Sequence, residues 1–159
     1  MAAWFTACVG DVNTQEIYGY RYGSGRVHRI TEFETAEELV AKASATADRY
    51  ILLRDPESAY SQQSRAMIGR FKSFDVYGGS NGTWMARLWK DEIGAVLIPP
   101  GFETPWDSSP IIGISLTLGY RFYRPDGSNW VEYAPKPPLT PERREHDTLI
   151  IHPGTLAAV

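Results

Sequence analysis

Ile112-Gly113-Ile114-Ser115-Leu116-Thr117-Leu118-Gly119-Tyr120-Arg121-Phe122 alternates apolar side chains with small or polar ones along its whole length. Strand side chains point to opposite faces with a period of two, so this pattern predicts a β-strand with one covered and one wet face. Arg124-Pro125-Asp126-Gly127-Ser128 follows as a turn signal, and Asn129-Trp130-Val131-Glu132-Tyr133-Ala134 as the returning strand. Together they predict a long antiparallel hairpin over 111–134 at the centre of a sheet, with Ile114, Leu116 and Leu118 buried under helices.

Working outward, residues 4–12, 16–22 and 26–33 read as a three-stranded meander with turns at Asn13-Thr14-Gln15 and Gly23-Ser24-Gly25. Thr35-Ala36-Glu37-Glu38 has the form of a capping box, predicting a helix over 36–47 that presents Leu39, Val40, Ala43 and Ala47 on one face. Tyr50-Ile51-Leu52-Leu53 reads as a short strand, and Asp55-Pro56 as the start of a second helix running to Ser73 with Tyr60, Ser64, Met67, Ile68 and Phe71 inward. Gly78-Gly79-Ser80-Asn81-Gly82 reads as a loop, 83–89 and 94–98 as paired strands, and 99–110 as a surface loop. Pro135 to Asp147 carries four prolines, with one helical turn predicted at Thr140-Pro141-Glu142, and Thr148–His152 reads as a closing strand. The resulting expectation is an α+β fold, one domain over 1–159. Its mainly antiparallel twisted sheet has about six to eight strands, with two α-helices packed on one face. Alternating rather than uniformly apolar strands speak against a parallel sheet.

The 159 residues are ordinary globular material, 43% apolar and 22% charged. Five Trp, nine Tyr and six Phe make the chain rich in aromatics, which suits a β-rich core and a recognition surface equally. A net charge of −3 does not drive the whole protein onto nucleic acid or an anionic membrane. The single Cys8 sits in the apolar run Trp4–Val9, which predicts a buried thiol and a reducing, cytoplasmic setting. The N-terminus lacks signal-peptide character and no apolar segment is long enough to cross a bilayer, so no membrane association is expected.

The hairpin at 16–30 combines Tyr18, Tyr20 and Tyr22 on one strand parity with Arg21, Arg26, His28 and Arg29, and has no acid between Ile17 and Ile30. An aromatic ladder beside guanidinium groups can stack bases, hold phosphates or anchor a protein partner, while a tyrosine face beneath a helix is simple core packing. These seven residues are the candidate binding site. His146 and His152 bracket the last strand and are about 20 Å apart by strand rise, too far to share a metal. The Gly78–Gly82 loop lacks the Lys-Ser/Thr of a P-loop and reads as a turn needing positive φ. There is no Gly-x-Ser-x-Gly elbow, no metal-ligand spacing and no cofactor motif, so no catalytic residue, metal or cofactor is expected.

Three functional classes remain open on sequence. The first is a small cytoplasmic, non-enzymatic protein that acts stoichiometrically on a protein partner, in the manner of an immunity protein or a phage anti-defence inhibitor. The second is a nucleotide- or RNA-binding module, or an enzyme acting on such a ligand. The third is a virion or other structural subunit, in which a homo-oligomer is expected. High aromatic content and the missing catalytic motifs place the protein-binding reading first.

Overall fold

A computed structural model describes residues 6–21, 23–32 and 36–157. The chain opens with an antiparallel meander of β1 (Thr6–Asp11), β2 (Glu16–Arg21), β3 (Val27–Ile30) and β4 (Ala36–Leu39). The first three strands fall where the sequence places them. The fourth replaces the expected helix over 36–47; Thr35, its expected cap, lies outside the described residues. Glu37 and Glu38 work across strands rather than at a helix start. Glu37 lies opposite Arg29 in register and binds its guanidinium at 2.7 Å, and Glu38 is 3.5 Å from Arg26.

A second, six-stranded sheet is assembled from β5 (Tyr50–Leu53), β6 (Ser73–Val76), β7 (Ala95–Ile98), β9 (Arg121–Asp126), β10 (Asn129–Tyr133) and β12 (Thr148–Ile151), in the order β10-β9-β12-β7-β5-β6. β5 is parallel to both β6 and β7, and the remaining pairs are antiparallel, so the sheet is mixed within an α+β fold. A two-stranded ribbon pairs β8 (Gly101–Glu103) with β11 (Glu142–Arg144), where one helical turn was expected.

Among the described residues four α-helices complete the fold: α1 (Gln62–Ile68), α2 (Asn81–Trp89), α3 (Pro105–Thr117) and α4 (Pro153–Leu156). They do not share one face. The first buried cluster joins Tyr18 and Val27 of the meander to Trp84 and Trp89 of α2, Ile111 and Ile114 of α3, and Val96 and Ile150 of the mixed sheet. The second lies on the opposite face of the mixed sheet, where Met67 and Ile68 of α1 cover Ile51, Leu97 and Leu149. The layers therefore run meander, α2 and α3, mixed sheet, α1 and α4. Strands covered on both faces bury both parities, which is why β7 and β12 are uniformly buried rather than alternating.

The largest correction concerns the 112–122 stretch. Its first half is helix. Pro105 occupies the start of α3, and Gly119, with φ +92°, ends it: the amide of Gly119 donates to the Leu116 carbonyl and that of Tyr120 to the Ser115 carbonyl, the two bonds of a Schellman stop. The small residues that read as a wet face are close-packing positions. A Cβ on Gly113 would lie 2.7 Å from the Tyr20 ring, and Ser115 Oγ accepts a 3.0 Å hydrogen bond from Trp89 Nε1. Only the second half, β9 with β10 around the positive-φ Gly127, is the expected hairpin. Leu116, expected in the core, is 38% exposed, whereas Ile114 is wholly buried.

Residues 83–89 are likewise helix rather than strand: Trp84, Met85, Leu88 and Trp89 are all buried because α2 is wedged between two sheets. α1 is shorter than predicted. Ser61, not Asp55, is its cap, accepting from the Ser64 amide at 3.2 Å, although the expected inner face of Tyr60, Ser64, Met67, Ile68 and Phe71 is buried as read. Cys8 is exposed, contrary to expectation, because its parity in β1 points away from α2 and α3. No helix among the described residues is long and apolar enough to cross a membrane.

Candidate functional site

A cleft of about 370 Å³ opens where the parallel strands β5 and β7 end. In α/β sheets this C-terminal edge is where ligands bind, because the chain leaves the strands in loops and helix starts that can converge on one crevice. Here Arg54 follows β5 directly, Ile98 ends β7, Asn81 starts α2 and Ser108 lies in the first turns of α3. The outer wall is the proline-rich 135–147 segment, which contributes Lys136, Arg143, Arg144 and His146.

Arg144 holds that wall in place. Its guanidinium forms an ion pair with Glu103 across the β8–β11 ribbon and donates to the carbonyls of Pro99 at 2.7 Å and His146 at 3.1 Å. Burial, and then the like charge of Arg54, pull its pKa down to about 10, so it remains a cation at neutral pH. Arg54 lies 3.0 Å from Asp55 and rests against Gly101, where a Cβ would come within 3.3 Å of the guanidinium. Arg143 stacks near the exposed Phe102 ring, 5.9 Å from its centroid, and pairs with Glu145 at 3.2 Å. Arg54 and Arg144, each paired with a carboxylate, thus stand on one cleft with Asn81 and Ser108 from the first turns of α2 and α3.

Beside these charges the cleft is lined by rings. Phe122 and Tyr133 meet edge to face at 6.4 Å, and Tyr133 and His146 at 5.0 Å, giving a continuous run of three rings. Tyr133 Oη and Thr148 Oγ1 share a 2.9 Å hydrogen bond, and His146 Nδ1 lies 3.0 Å from the Asp147 carbonyl. Asp147 itself points away from the cleft, accepting from the Ser61 amide at 3.0 Å and Ser64 Oγ at 2.6 Å to fix the start of α1. The floor is the upper edge of the first core cluster, formed by Ile98, Ile111, Ile112 and Ile150.

The residues singled out in the 16–30 hairpin are dispersed. Tyr18 is wholly buried against Trp89, and burial together with its 2.5 Å bond to Glu16 holds the phenol protonated far above its usual range. Tyr20 packs over Gly113 of α3, and Tyr22 lies outside the described residues. Arg21 and Arg26 are exposed, His28 is half-buried opposite Gly19 and Glu38, and Arg29 is bound by Glu16 at 3.3 Å and Glu37 at 2.7 Å. No acid lies between Ile17 and Ile30, but Glu16 at the start of the hairpin and Glu37 and Glu38 of β4 supply three partners. His146 and His152 stand at opposite ends of β12, the latter capping α4 by accepting from the Gly154 amide at 3.2 Å.

Sequence reasoning passed over Arg54, Glu103, Tyr133, Lys136, Arg143 and Arg144. One cue was available: Arg54 immediately follows the apolar run Ile51-Leu52-Leu53, the place where a covered parallel strand delivers a site residue. The pairing of Arg144 with Glu103, forty-one positions apart, has no local signature.

No protein-family model and no curated protein sequence matches the chain. Solved structures do. The chain is similar to inositol monophosphatase II from Staphylococcus aureus, at 15% identity and a TM-score of 0.65 over 95% of this chain and 51% of that one. It is similar to SuhB of Mycobacterium tuberculosis at 14% identity and a TM-score of 0.65, covering 96% of this chain and 57% of that one. A third neighbour is an IMPase/NADP phosphatase complexed with Mg²⁺ and phosphate, at 15% identity and a TM-score of 0.54, covering 90% of this chain and 51% of that one. The chain thus spans about half the length of the structures it matches. This likeness overturns the reading as a stoichiometric inhibitor, immunity or anti-defence protein: the fold is shared with solved structures described as inositol monophosphatases and an IMPase/NADP phosphatase. Among the described residues no group of three or more His, Cys, Asp or Glu could hold a metal ion.

Proposed function

We propose that this chain is a phosphatase-fold enzyme component that binds a phosphorylated small molecule in the cleft at the ends of β5 and β7. The observation that carries this reading is the convergence of Arg54 and Arg144 on one crevice at which α2 and α3 also begin. Guanidinium groups match phosphate oxygens in pairs, and helix starts present unpaired amides to an anion. Burial first, and the like charge of Arg54 second, lower the Arg144 pKa, and a dianion beside the pair would favour the charged guanidinium. Solved neighbours complexed with phosphate, 2′AMP and inositol monophosphate support the ligand class.

Titration calorimetry with inorganic phosphate tests the reading. Binding is expected to weaken with ionic strength, and Arg54→Ala is expected to reduce affinity at least tenfold with little change in melting temperature, since the side chain is one-third exposed. Absence of phosphate binding to the parent, or equal binding by Arg54→Ala, would sink it.

A further inference from the structure

We propose that β6 is a docking edge for a second copy of this chain, the two β6 strands pairing antiparallel about a two-fold axis normal to the mixed sheet. β6 ends that sheet, with β5 on one side and no strand among the described residues on the other. The Tyr77 amide donates to the Leu53 carbonyl, and alternation along the strand then turns the amides and carbonyls of Phe74 and Val76 away from β5. An open row of this kind is a template for another strand, and an edge that must stay single is blunted by proline, lysine or a free charge. β6 has no such guard. It carries Phe74 and Val76, 40% and 47% exposed, and its one charge, Asp75, is drawn onto Arg87 of α2 at 3.3 Å.

Parity makes the strand complementary to itself. Phe74 and Val76 lie beside Ile51 and Leu53 in register and share their side of the sheet, the side that α1 covers; Asp75 lies beside Leu52 on the α2 side. A two-fold axis normal to the sheet keeps like sides together, so residues that face each other across it have the same parity. Centring the axis on Asp75 sets Phe74 opposite Val76 of the second copy, and Val76 opposite its Phe74. Both are outward-bonding positions, so each pair exchanges both of its backbone hydrogen bonds and brings two half-exposed apolar side chains together. The two Asp75 carboxylates then meet on the α2 side, each already held by its own Arg87. This is the isologous geometry of a closed dimer. A single short strand buries less than a standard interface, so the dimer is expected to dissociate on dilution.

Sedimentation equilibrium of the intact chain over a wide range of concentration tests the proposal, with the average mass expected to rise from 17.8 kDa toward twice that value. Phe74→Lys, which places charge on the edge, and Val76→Pro, which removes an outward amide and leaves apolar surface behind, are each expected to weaken association at least tenfold. Circular dichroism confirms that both variants are folded. In a Cys8→Ser background, Asp75→Cys is expected to form an intermolecular disulfide on oxidation, because the axis sets the two positions opposite each other at a Cα separation of about 4.5 Å. Phe74→Cys in the same background is expected to cross-link poorly. A monomer at every concentration overturns the proposal. So does a dimer that Val76→Pro leaves intact, or a disulfide that forms as readily from Phe74→Cys as from Asp75→Cys.

Discussion

Ile114 and Leu116 separate a helix from a strand over 112–122 in a single experiment. On a strand they share a face and would be buried alike; on α3 they lie about 200° apart around the helix axis. Ile114 is wholly buried between the meander and the mixed sheet, and Leu116 is 38% exposed. Truncating either to Ala removes three carbons. At about 0.8 kcal/mol per buried methylene, Ile114 forfeits about 2.4 kcal/mol before any cavity is counted, and an enclosed void raises the cost toward the middle of the roughly 2–5 kcal/mol range. For Leu116, scaling by its buried share leaves about 1.5 kcal/mol, and the better helix propensity of Ala with water filling the gap brings the cost to about 1 kcal/mol. At about 3 °C per kcal/mol for a domain of this size, Ile114→Ala should melt about 10 °C lower and Leu116→Ala about 3 °C lower. Calorimetry or denaturant unfolding reads both. Equal losses, or a larger loss at Leu116, would restore the strand and refute the placement of α3.

The exposed Cys8 should react with a thiol reagent in the native protein within a few-fold of its rate in the denatured chain; strong native protection would return it to the core. Burial raises the Tyr60 pKa to about 12, from its ordinary value of 10.0. The folded state therefore prefers the neutral phenol, so its contribution is complete below about pH 10 and is lost as pH rises to about 12, a change on the order of 2–3 kcal/mol. Tyr60→Phe removes that alkaline loss from Tyr60, and urea midpoints at pH 9 and pH 11.5 measure it; an unchanged slope would remove Tyr60 as its source.

The sequence was most legible where one local rule acts alone. The meander strands over 6–30 and the apolar runs at 50–53, 95–98 and 148–151 are read correctly because turn residues bracket them. It misled where two structures satisfy one pattern. A helix lying between two sheets needs apolar side chains on opposing flanks and small ones where its neighbours approach, so Gly113 and Ser115 interrupt the isoleucines of α3 at the spacing of a strand. Pro105 and Gly119 carried the competing signal, a helix start and a helix stop. Glu37 and Glu38 show the reverse error, since acids at the right spacing for a capping box served Arg29 and Arg26 across a strand pair. The cleft was the least legible part, because it is built by β5, β7, α3 and the 135–147 segment, and only the closure of the sheet brings their residues together.

The proline content of that segment has an entropic meaning for the cleft. Most of its side chains between Lys136 and Arg143 face solvent, so little apolar burial holds the wall in place. An ordinary residue forfeits about 1–2 kcal/mol of backbone freedom on being fixed, and a solvent-facing wall has few contacts to offset that loss. Pro135, Pro137, Pro138 and Pro141 have φ set by their own rings and restrict the residue before each of them, so much of the required shape is already present in the unfolded chain. Three registered pairs between β11 and β8 and the Arg144 clamp are then enough to keep the wall upright, and the crevice keeps its width whether or not a ligand stands in it.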